Sequence, residues 1–88
     1  MPAKTVSDHI KEVMRRIDKV QPIKIEEARI RANWSLYHLF KAIQAGNDII
    51  PPLYPKTNLA MPIVEEYRKT LKPSDILDDP PGPFTFRF

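Results

Sequence analysis

Ile25-Glu-Glu-Ala-Arg-Ile-Arg-Ala-Asn-Trp-Ser-Leu-Tyr-His-Leu-Phe-Lys-Ala-Ile-Gln-Ala45 lies in the longest gap between the ten prolines of this 88-residue chain, from Ile23 to Ile50. Proline removes a backbone donor and clashes inside a helix, so its absence here and its density elsewhere set the organisation. The segment predicts a helix from about Ile25 to Ala45, stopped by Gly46-Asn47, residue types that accept left-handed geometry at a C-terminal cap. Ala28, Ala32, Leu36, Leu39, Phe40 and Ile43 recur as one apolar row, and Ile30, Trp34 and Tyr37 make a second beside it. Together they cover more than half the circumference, and so wide an arc must be covered on more than one side. The chain's other helices are expected to cover part of it and a partner the rest.

Upstream, Thr5 to Val20 reads as an amphipathic helix. Thr5 and Asp8 stand at capping-box spacing, and Val6, Ile10, Val13, Met14, Ile17 and Val20 recur at three and four residues. The opposite side carries Lys11, Glu12, Arg15, Arg16, Asp18 and Lys19, and Pro22 ends the helix. Downstream, Ile49-Ile-Pro-Pro-Leu-Tyr-Pro55 reads as an extended, polyproline-like crossing. A third helix is expected from about Thr57-Asn58 to Leu71, with Pro62 in its first turn, Glu65 and Glu66 towards its positive end and Arg68, Lys69 and Lys72 towards its negative end. From Ser74 the chain reads as an extended tail. Phe84, Phe86 and Phe88 alternate with Thr85 and Arg87 at strand period, so the tail either adds a strand to a foreign sheet or docks its phenylalanines on the chain's own helices. The expected architecture is mainly α: a helical domain over residues 1–73, and a tail over 74–88 that ends in a short edge strand.

Composition narrows the function. A chain of this size buries little surface, and with no cysteine and two separated histidines, His9 and His38, it has neither disulfide nor metal as a staple. No run approaches the roughly 20 apolar residues needed to span a bilayer. Residues 1–46 hold nine Lys/Arg against five Asp/Glu, while residues 47–88 hold five against six. Catalysis is not indicated. The acidic pairs Glu26-Glu27, Glu65-Glu66 and Asp78-Asp79 are sequence neighbours that diverge by about 100° on a helix. Two glycines cannot form a phosphate-cradling loop, and no serine has a positioned histidine. No cofactor and no metal are expected. Arg15, Arg16, Arg29 and Arg31 offer phosphate contacts, but stacking would need exposed aromatics beside them, and Trp34, Tyr37 and Phe40 fall on the arc expected to be packed.

Lys24-Ile25-Glu26-Glu27-Ala28-Arg29-Ile30, with Ala32 and Leu36 after it, resembles the signature helix of a small subunit of multisubunit RNA polymerases: bacterial omega and its archaeal and eukaryotic counterpart. Glu66-Tyr67 and Pro73 match the spacing of that family's second helix, and the extended C-terminus is similar to its final strand. Trp34 and Ser35 stand where the family has Arg-Ala, and the crossing from Leu36 to Asn58 is longer than the family's. The resemblance implies a non-catalytic subunit that clamps the C-terminal region of the largest polymerase subunit and aids its folding and assembly.

The residues expected at a partner interface are Lys24, Glu26, Arg29, Arg31, Trp34, Leu36, Phe40, Ile43, Glu66, Phe84, Phe86 and Phe88. The partner expected is a protein subunit of a large assembly, with the largest polymerase subunit foremost and a peripheral nucleic-acid contact in addition. Two alternatives stand beside this: an accessory subunit of a mitochondrial respiratory complex or ribosome, and a small basic nucleic-acid-binding module. The site of transcription is the expected location, with the mitochondrion as the alternative.

Overall fold

The structure, a computed structural model, describes residues 3–47 and 60–79. In chain order it contains β1 (Lys4–Thr5), α1 (Val6–Val20), α2 (Glu26–Gln44), α3 (Ala60–Lys69), a 3-10 turn at Pro73–Asp75 and β2 (Ile76–Leu77). The mainly helical architecture with three helices is as expected. The proline crossing at 49–55, the start of the third helix at Thr57-Asn58 and the Phe84–Phe88 strand lie outside the described residues.

Helix α1 starts where the sequence places it: the Thr5 hydroxyl accepts the Asp8 amide at 3.2 Å, satisfying one of the donors a helix start leaves open. Val6, Ile10, Val13, Met14 and Ile17 are buried, but Val20 is 56% exposed, because it is the last helical residue before the chain turns away at Gln21. The turn is held by a clamp. The Asp18 carboxylate accepts the Ile23 amide at 3.2 Å, and the Arg29 guanidinium donates to Asp18 at 2.8 Å and to the Ile23 carbonyl at 3.0 Å. Both peptide groups of Ile23 are thereby satisfied at the corner between α1 and α2, and the Ile23 side chain tucks under it.

Helix α2 ends in a Schellman motif. Gly46 adopts φ of +85°, its amide donates to the Ile43 carbonyl at 2.9 Å, and the Asn47 amide donates to the Ala42 carbonyl at 2.8 Å. In α3, Pro62 occupies the first turn as expected, but Glu65 and Glu66 lie past it, at mid-helix, so they do not sit at the positive end of the dipole. Arg68 and Lys69 do occupy the last turn.

The core gathers the apolar face of α1, Ala32, Leu36, Leu39, Phe40 and Ile43 of α2, and Val64 and Tyr67 of α3. At its centre is His9, fully buried among the apolar residues of α1. The Asp75 carbonyl, 2.9 Å away, can only accept, so His9 Nε2 carries the proton and donates. In the neutral ring Nδ1 then accepts from the Tyr67 hydroxyl at 2.8 Å. Phe40 packs 5.4 Å from His9 and 6.0 Å, edge-on, from Tyr67.

The segment from Ser74 to Asp79, expected as the start of an extended tail, is laced to the helices. Lys4 and Thr5 pair in parallel with Ile76 and Leu77, and Ile76 is 3% exposed. Gln44 Nε2 donates to the Ile76 carbonyl at 3.1 Å and to Asp78 at 3.0 Å, and Lys41 Nζ reaches the same carboxylate at 3.2 Å. Asp79 accepts the Ser7 amide at 3.2 Å, placing a carboxylate at the positive end of α1. Gln44 and Lys41 together hold the Asp78 carboxyl below the usual carboxylate range.

Candidate protein-docking face on the second helix

Packing divides the wide apolar arc of α2 in two. Leu36 and Phe40 are fully buried and Ile43 is 6% exposed, all inside the chain's own core, so these three are not available to a partner. The correction has a simple cause: periodicity gives the width of an apolar arc, but not which part of it the chain itself covers. The side turned away from α1 carries Glu27, Arg31, Trp34 and His38 in an exposed row, with Ile30 and Tyr37 half-buried along its flank.

Trp34 is 46% exposed, the largest side chain left so open. It is not loose. Tyr37 packs edge-on against it at 5.8 Å, His38 lies tilted 6.1 Å away, and Tyr37 and His38 are 5.7 Å apart. Three rings at i, i+3 and i+4 thus brace one another on a rigid helix, a presentation that loses little side-chain freedom when a partner covers it. At one end of the row Arg31 pairs with Glu27 at 2.5 Å, and at the other Lys41 pairs with Asp78. The charged rim is engaged within the chain, so the centre of this face is aromatic and its border polar, the anatomy of a protein interface.

The remaining expected interface residues separate. Lys24 and Glu26 are exposed at the entry to α2. Arg29 works inside the fold, on Asp18 and Ile23, and its hydrogen bond is the first cause holding the Asp18 carboxyl low. Glu66 is exposed on α3, a different helix. Phe84, Phe86 and Phe88 lie outside the described residues. Among the described residues of the expected set, Arg31 and Trp34 fall on one surface, and Tyr37 and His38 join them. The stacking of α2 aromatics beside Arg31, set aside on the expectation that Trp34 is packed, regains its geometric basis from the exposure of that ring.

Among the described residues no group of three His, Cys, Asp or Glu side chains could hold a metal ion. No helix of the described residues is long and apolar enough to cross a membrane. His38 takes part in ring contacts on the helix surface. No protein-family model, curated protein or solved structure matches this chain.

Proposed function

We propose that this chain is a non-catalytic scaffold and assembly subunit, docking by the Trp34 face of α2 onto the largest subunit of a multisubunit DNA-directed RNA polymerase. The observation that carries the docking role is the exposed Trp34 ring, braced by half-buried Tyr37 and by exposed His38. Tryptophan held on a rigid element is among the side chains that dominate binding energy at protein interfaces. The polymerase assignment is supported by the resemblance of Lys24 to Leu36. In this fold the resembling residues divide into two groups. Ala32, Leu36 and Arg29 build the body of the domain and Lys24 and Glu26 are exposed at the entry to α2, while Arg31 and Trp34, which lie outside the resemblance, face outward beside them.

The test is native purification of the tagged protein at low salt with its co-purifying chains identified, for the wild type and for Trp34→Ala. The two largest polymerase subunits are expected in near-equal amount with the wild type, and are expected to be lost with the variant. Recovery of respiratory or ribosomal proteins would refute the polymerase assignment while keeping the docking role. A lone monomer would refute both.

A further inference from the structure

The outward row of α2 is complementary to itself about Trp34. Glu27 and Lys41 stand seven residues before and seven after it, about 10 Å away along the axis, and both lie within about 20° of the Trp34 direction. Ile30 and Tyr37, four before and three after, share one flank of the row, while Arg31 and His38, three before and four after, share the other. A two-fold axis crossing α2 opposite Trp34 reverses one helix over a second copy and keeps each flank with itself. Trp34 then meets Trp34 of the other copy at the centre. Ile30 meets Tyr37 of the other copy on one flank, Arg31 meets the His38 ring on the other, and Glu27 meets Lys41 at both ends, each contact occurring twice. A parallel pair would instead set Glu27 on Glu27 and Lys41 on Lys41.

The charges of this face do not oppose the pairing, because each copy neutralises its own. Arg31 is held by Glu27 at 2.5 Å and Lys41 by Asp78 at 3.2 Å, so the row carries two positive and two negative groups. Lys24 and Glu26, exposed at the entry to α2, add one of each sign. A face with net charge would repel its own copy, and this one carries none. The end contacts extend the existing ion pairs. Gln44 and Asp78 take two of the three donors of the Lys41 ammonium, and the third remains for Glu27 of the other copy. Two antiparallel helices also bring opposite ends of their dipoles together.

We propose that free copies of this chain associate through the Trp34 face as an antiparallel, two-fold pair of α2 helices. The 46% exposed Trp34 ring lies on the axis, where it is buried against its own equivalent. A single helix face buries less than the roughly 1,200 Å² of a standard interface, so the pair dissociates on the order of tens of micromolar and yields to a larger partner. The pairing names what occupies this face when no other subunit does. Its consequence for assembly rests on the docking role proposed above: a copy paired with its equivalent cannot dock, and docking releases the pair.

The test is sedimentation equilibrium of the purified full chain from about 1 to about 500 µM. The average mass is expected to rise from that of one chain towards that of two. Trp34→Ala is expected to keep the mass of one chain throughout, with helical circular dichroism retained. Glu27→Lys alone and Lys41→Glu alone are each expected to weaken association about 10-fold, since each places like charges together at both ends. The two substitutions together are expected to restore it to within about 3-fold of the wild type. Each single variant loses one of the internal pairs with Arg31 and Asp78, and the double variant loses both, so its recovery reports on the contact between copies alone. Three results would overturn the proposal: a wild type that stays at one chain's mass at the highest concentration, Trp34→Ala that associates like the wild type, or a double variant that does not recover. The docking role fails separately. A self-associating chain that recovers no polymerase subunits keeps the pairing and loses the docking partner, and recovered subunits with a monomeric free chain overturn the pairing alone.

Discussion

The outward faces of α1 and α2 are built on helices that bury comparable apolar faces, yet they are finished differently. On α1 the surface is charged, and its one shared carboxylate, Glu12, holds two arginines. On α2 the surface is aromatic, with Trp34, Tyr37 and His38 braced on one another. A charged face is at ease in water. An aromatic row partly exposed to water carries a cost that burial against another surface would relieve. The difference teaches that amphipathicity alone does not mark a binding helix. What would mark one is apolar surface left exposed after the chain's own packing, as at Trp34.

The largest expected effect separates the inner face of α2 from its outer one. Phe40→Ala, which removes a fully buried ring packed on His9 and Tyr67, is expected to cost about 3–5 kcal/mol in chemical denaturation. Trp34→Ala, on the same helix, is expected to change stability by less than about 0.5 kcal/mol but to weaken partner binding by about 2 kcal/mol, or roughly 30-fold. If Trp34→Ala instead unfolds the chain, the contrast between the two faces fails.

A smaller effect belongs to the end of α2. Gly46 has φ of +85°, and a Cβ there would meet nothing within 4 Å, so Gly46→Ala is strained without being crowded. It is expected to cost about 1 kcal/mol, read as a lowered thermal midpoint. A fall several times larger would mean that the Schellman end does more than close the helix.

The smallest effect is electrostatic and belongs to α1. Hydrogen bonding from Arg15 lowers the Glu12 carboxyl to about 2, and hydrogen bonding from Arg29 lowers that of Asp18. Both are depressed below their unfolded values of about 4, so the stability they contribute is present above that range and is lost as pH falls towards about 2. The thermal midpoint is expected to decline from pH 5 to pH 2.5 (roughly the titration window of these groups), and Asp18→Asn is expected to flatten part of the decline. An unchanged midpoint across the window would remove the α1 pairs as contributors.

Much of this fold was legible in the sequence because its signals are local. Thr5 with Asp8, the spacing from Val6 to Ile17, Pro22 and Gly46 each report on a few neighbouring residues, and each sits where the reading placed it. His9 was missed because its polar character hides its position. It lies three residues after Val6 and four before Val13, on the apolar stripe, and that spacing is the signal that it is buried. The strap at Ile76-Leu77 was missed for a different reason: two residues carry no period, and their partner, Lys4-Thr5, is at the other end of the sequence. The docking face was only half legible. The two rows of α2 were visible, but their division into core and surface is decided by α1 and α3.

The pairing of Lys4 with Ile76 and the bond from Ser7 to Asp79 have a consequence for the order of events during synthesis. The start of α1 emerges from a ribosome before the carboxylate that completes it, which is translated 72 residues later. Until Asp75 and Asp79 arrive, His9 and the Ser7 amide lack the acceptors they have in the finished fold. The domain therefore reaches its native state only after the strap has been made, and a nascent chain stalled before Ile76 carries its helices with the N-terminal end still open.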